Sequence, residues 1–144
     1  MTAGPLATPP VLPTRDGISI DPGSPFTFAQ AVVFNPTERT ATIEGAALSP
    51  GDRPLAVLGV YARSPRGIAI GPGTPPSGLH PLRGYRLRPG RAVAIVFHLR
   101  LSRAGVARTS GVRVRYEVAG RGYAFVLPQG LVACASATPY LGSC

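Results

Sequence analysis

The stretch Arg91-Ala92-Val93-Ala94-Ile95-Val96-Phe97-His98-Leu99-Arg100-Leu101 decides the fold class. In an extended chain successive side chains alternate across the sheet, so Val93, Ile95, Phe97, Leu99 and Leu101 share one face. Ala92, Ala94, Val96, His98 and Arg100 share the other. The Pro89-Gly90 turn opens the run, which predicts a central strand. A strand with so apolar a face requires an apolar layer over it, and its neighbours read as that layer.

Upstream, Pro25 to Asn35 predicts a second strong strand, with Phe26, Phe28, Val32 and Phe34 on one face and Gln30 interrupting the alternation. Gly17 to Asp21 predicts a short first strand carrying Ile18 and Ile20. Thr40 to Leu48 is more polar, as expected near an edge. Leu55 to Ala62 is apolar on both faces, as expected of a strand covered on both sides. Residues 63 to 84 hold five prolines and five glycines counted from Arg63 to Gly84, an irregular segment with room for a short edge strand at Gly67 to Gly71.

Downstream, Ser102 to Gly111 reads as a loop, and Val112, Val114, Tyr116 and Val118 then point inward from a strand ending at Ala119. Gly122 to Leu127 is its hairpin partner. With Gly120-Arg121 as a type II′ loop, Val118 would pair with Tyr123, Tyr116 with Phe125 and Val114 with Leu127. The sum is an all-β antiparallel sandwich of seven to nine strands over residues 15–128. Its predicted core is Phe28, Val32, Phe34, Val57, Ile95, Phe97, Val114, Tyr116 and Phe125. Residues 1–14, with Pro5, Pro9, Pro10 and Pro13, form a Pro-rich linker or arm. Residues 129–144 form a C-terminal tail with two cysteines.

Composition supports this class. In 144 residues there are 18 glycines and 17 prolines with 44% hydrophobic residues, too apolar for disorder and too punctuated for long helices. The net charge is +9, a field that favours anionic partners. All the basic residues are Arg, however, in a chain rich in Ala, Gly and Pro, so part of the count reflects a GC-rich genome. Met1 to Pro13 shows no signal peptide, and no apolar run reaches the roughly 18 residues of a membrane span.

Phe34-Asn35-Pro36, Leu87-Arg88-Pro89-Gly90 before a long apolar strand, and Tyr116 followed by Gly120-Arg121-Gly122 together resemble bacterial extracytoplasmic immunoglobulin-like modules. With the Arg, Ala and Pro bias, the chain resembles the uncharacterised immunoglobulin-like β-sandwich domains of actinobacterial secreted or membrane-anchored envelope proteins, over Asp21 to Leu127. That resemblance implies an extracytoplasmic setting, an envelope protein partner and a membrane reached only through an anchor outside this sequence. Cytoplasmic and virion settings remain open alternatives, the latter as a phage decoration or fibre domain.

No catalytic signature accompanies the fold. There is no Gly-x-Ser-x-Gly elbow. Three of the six acids, Asp21, Glu38 and Asp52, sit in turns or at strand ends. His98 beside Arg100 reads as a satisfied structural histidine. His80, His98, Cys134 and Cys144 match no zinc spacing, and Gly71-Pro72-Gly73 lacks the Lys and helix of a phosphate loop. The expectation is therefore a protein that is not an enzyme and uses no cofactor or metal. Cys134 and Cys144 are a disulfide pair if the protein is exported, and two reduced thiols otherwise. One constellation points to binding: Arg83, Tyr85, Arg86, Arg88 and Arg91, preceded by His80. Guanidinium forks suit carboxylate and phosphate, so this segment is either an anionic-polymer site or a solvated, aggregation-resistant strand edge.

Overall fold

A computed structural model describes residues 4–7, 14–51, 55–65, 69–72, 79–101 and 104–135. All elements among them are strands: β1 (Thr14–Ile20), β2 (Pro25–Phe34), β3 (Ala41–Gly51), β4 (Ala56–Arg63), β5 (Ala69–Pro72), β6 (His80–Pro81), β7 (Tyr85–Leu87), β8 (Ala92–Arg100), β9 (Gly105–Val118), β10 (Arg121–Leu127) and β11 (Gln129–Ala135). They form two sheets. One runs β5-β2-β8-β4-β6, and the other β1-β11-β9-β3-β7 with β10 also paired to β9. The fold is an immunoglobulin-like β-sandwich.

β8 lies in the middle of its sheet, between β2 and β4. Val93, Ile95, Phe97 and Leu99 are fully buried against the opposite sheet, where Ile43, Val112, Val114 and Tyr116 meet them in one core. The outward residues Ala94 and Val96 are buried as well, so β8 is central in both senses.

Three predicted core residues lie elsewhere. Val32 is half-buried, while Phe34 and Val57 are 37% and 50% exposed. The cause is a pair of β-bulges, each of which reverses the strand's alternation. In β2 the register passes from Phe28 opposite Phe97 to Ala31 opposite Ile95. The inward set therefore changes from Phe26 and Phe28 to Ala31 and Val33. In β4 the register passes from Val57 opposite Leu99 to Gly59 opposite His98. Val57 and Leu58 stand out at the sheet's margin, and the double-sided coverage expected of this strand holds only toward Ala62.

The segment Ser102 to Gly111 is not all loop, because β9 begins at Gly105 and buries Ala107 and Thr109. Its alternation is weak in apolar residues, which hid it. Nor is the chain beyond Pro128 only a tail. Every residue of β11 is buried, between β9 on one side and a parallel β1 on the other. That parallel pair makes the sheet mixed rather than purely antiparallel, and the described strands number eleven.

The arm reading is corrected at its centre. Leu6 joins the core, its N–H donating to the Tyr116 hydroxyl at 3.0 Å, and Ala7 forms a two-way bridge with Phe34. The β9–β10 hairpin turns at Ala119-Gly120, with φ of 52° and 77°. Positive φ at both positions is type I′ geometry, so Val118 faces Arg121, Tyr116 faces Tyr123 and Val114 faces Phe125. The pairing differs from the expected one by two residues, which leaves every side chain on its predicted face.

Candidate functional site

The arginine segment is built around a buried asparagine. Asn35 directly follows β2 and is fully buried. Its side-chain amide donates to the carbonyls of Arg39 at 2.8 Å and Leu87 at 2.9 Å. Its Oδ1 accepts from the Thr37 backbone N–H at 3.0 Å and the Thr37 hydroxyl at 2.7 Å. All four side-chain hydrogen-bonding positions are thus used. The backbone extends the β2–β8 ladder: Asn35 N–H donates to the Arg91 carbonyl at 2.9 Å, and the Asn35 carbonyl accepts from Gly90 at 2.8 Å.

This clamp fixes Leu87, Gly90 and Arg91, the residues between and beside the arginines. Arg91 N–H closes the turn on the Arg88 carbonyl at 3.1 Å, and Gly90 has a φ of 72°. Pro at the first corner and a positive-φ Gly at the second define a type II turn, which brings its end residues within about 7 Å. Arg88 and Arg91 are those ends. Arg86 is one strand repeat earlier, in register with Thr42 of β3.

Tyr85, Arg86, Arg88 and Arg91 line one cleft of ≈ 570 Å³, with Ser64 and Pro65 from the end of β4 and Ala92 from β8. The three guanidinium-bearing residues are exposed, and none of them makes an ion pair among the described residues. Tyr85 is half-buried at the inner side of this cleft, in register with the buried Ile43 and packed on the core, with His80 at 6.4 Å between ring centroids. Arg83 does not join them. It lines a second groove of ≈ 490 Å³ with Thr42, Glu44 and Arg115.

The remaining sequence candidates are dispersed. His98 is half-buried, but its Nε2 is buried without a hydrogen-bond partner among the described residues, which differs from the satisfied histidine expected. Cys134 is buried in β11 and is not a free thiol; Cys144 lies outside the described residues. No described group of three or more His, Cys, Asp or Glu residues could hold a metal ion. Sequence reasoning missed Asn35 as the organising residue, although Asn35-Pro36-Thr37 was legible as a turn. It also missed the outward placement of Val57 and Leu58.

No family model and no curated protein matches the sequence. Solved structures do match. The ASH/PapD-like domain 7 of human CEP192 is similar over 96% of this chain and 92% of that one, at 10% identity and a TM-score of 0.50. A family 123 glycoside hydrolase from Clostridium perfringens is similar over 87% of this chain at 9% identity and a TM-score of 0.50, and this chain spans only 24% of it. Vibrio cholerae VesB protease gives 11% identity and a TM-score of 0.47, with 32% of its length spanned. The likeness to the PapD-like domain agrees with the immunoglobulin-like class read from the strands.

Proposed function

We propose that this chain is a non-catalytic immunoglobulin-like interaction module of the bacterial cell envelope, of actinobacterial origin, that holds a protein partner. The observation that carries the reading is the margin of β4. Val57 and Leu58 are 50% and 44% exposed there. β6 covers β4 only at Tyr61 and Ala62, so among the described residues the stretch from Ala56 to Gly59 has no second strand beside it. A sheet edge with unpaired backbone groups and outward apolar anchors is the geometry by which extended peptide segments add to a sheet. The extracytoplasmic setting is supported by Cys134, which is not a free thiol, since disulfides persist in oxidising compartments.

A photo-crosslinking residue at position 58, introduced in the native host, tests this. A discrete adduct from the envelope fraction is expected, lost when Val57 is changed to Asp while the thermal midpoint is kept. An equal adduct from position 113, which is exposed on the opposite sheet, would overturn the reading. Intact mass before and after reduction checks whether Cys134 and Cys144 are bonded to each other.

A further inference from the structure

The turn that carries Arg88 and Arg91 is a separate surface from β4, and its construction points to a ligand of its own. We propose that Arg86, Arg88 and Arg91 form a binding site for a phosphodiester-linked anionic polymer without bases, such as a polyol phosphate chain. The argument begins with the fixity of the site. The backbone between the three residues is anchored to Asn35 through Leu87, Gly90 and Arg91, and the turn is closed from Arg91 to Arg88. The backbone positions from which the three Arg side chains project are therefore fixed relative to one another.

Their spacing favours a repeating anion. Arg86 and Arg88 are two residues apart along a strand direction, about 6.6 Å at the usual rise, and the ends of the turn are within about 7 Å. Both backbone steps are comparable to one repeat of an extended phosphodiester chain, and an Arg fork fits phosphate oxygens bidentately.

Among the described residues, internal neutralisation is absent where it would compete. None of the three makes an ion pair among the described residues. The acids on the face of Arg86 are Glu44, on the diagonal beyond Thr42 along β3 at about 7–8 Å, and Glu117, across Thr42 on β9 at about 9.6 Å. A cleft of ≈ 570 Å³ is large enough for a few monomer units, being within the range of ordinary ligand sites. Single-stranded nucleic acids are held by bases stacked on exposed rings, whereas the described lining of the cleft offers one ring, that of Tyr85, half-buried and packed against the core.

The test is the salt-dependent binding of a fluorescein-labelled synthetic poly(glycerol phosphate), followed by anisotropy between about 50 and 200 mM salt. The variant Arg86→Gln/Arg88→Gln/Arg91→Gln is compared with Arg113→Gln/Arg115→Gln/Arg121→Gln, which removes the same charge from exposed positions of β9 and β10. The first should lose at least roughly tenfold in affinity, and its salt slope should fall by about 2, from three contacts at about 0.7 each. The second should stay within about twofold, because it leaves only the long-range field changed. Circular dichroism and thermal midpoint confirm that both variants fold. Equal losses in the two variants would reduce the site to net charge alone. A thymidine oligomer of equal charge that binds more tightly than the polymer would replace the proposal with nucleic acid. Inorganic phosphate that competes as well as polymer phosphate would leave a single-anion site in its place.

Discussion

Asn35 holds more of the structure than its size suggests, because one side chain satisfies two carbonyls and an adjoining turn while excluded from water. Asn35→Asp keeps the shape and removes both donors, leaving the carbonyls of Leu87 and Arg39 facing a carboxylate. Each unsatisfied buried group costs about 1–3 kcal/mol, so the variant should lose about 2–4 kcal/mol in urea denaturation. Tyr116 is the second residue of this kind. Its ring is fully buried, stacked on Tyr123 at 5.3 Å and edge-on to Phe125 at 5.8 Å. Burial, and to a lesser degree charge on Tyr123, raises its hydroxyl above the ordinary value of 10.0, against the opposing hydrogen bond from Leu6. The native state thus favours the neutral phenol. The resulting stability is fully present below pH 10.0 and is lost as pH rises through the raised folded value, because the unfolded chain gives up its proton first. Tyr116→Phe keeps the ring packing, and its denaturation midpoints should decline less steeply in that alkaline window than the wild type's.

At the scale of elements, the β2 bulge sets which aromatic residues matter. Phe28 is stacked on Phe97 at 6.3 Å in the core, whereas Phe34 has been turned toward the surface. Phe28→Ala should cost about 3–5 kcal/mol, the usual range for a buried ring. Phe34→Ala should cost below about 1 kcal/mol, as surface substitutions do, and equal losses in a urea titration would contradict the observed register. The alternation rule recovered β8 whole, because an unbroken central strand leaves only one phase to choose. It failed halfway along β2 and β4, where one extra residue reverses the phase. Gln30 was the visible mark of the first bulge, since a polar residue on an otherwise apolar face is what a phase change leaves behind. The β9–β10 hairpin shows the milder error. Gly120 announced the turn, but placing it second rather than first required Ala119 to adopt a positive φ, a conformation that its Cβ disfavours and that propensity alone does not predict.

The arginine turn was legible as a set of residues, while its exclusion of Arg83 and its dependence on Asn35 were not, because both arise from contacts between segments distant in sequence. The same limit hid β11. Gln129-Gly130-Leu131-Val132-Ala133-Cys134-Ala135 carries small side chains with little alternation, and it is a strand because β9 and β1 flank it on both sides. Nothing local demands that outcome. The sheet closes only when the first long strand of the chain meets the last, with Ile18 opposite Ala133 and Ile20 opposite Ala135. Removing residues 129–144 therefore deletes an interior strand rather than a tail. It leaves β1 without a neighbour in its sheet, strips the Gly105 to Thr109 half of β9 of one partner and opens the core beside Ile18, Ile20 and Ala107. The buried backbone groups so exposed cannot be recovered by local hydrogen bonds. A chain ending at Pro128 should show no cooperative unfolding transition, and its amides should exchange without protection. A sigmoidal thermal transition near that of the full chain would show that β11 and β1 are appended to a sandwich that stands without them.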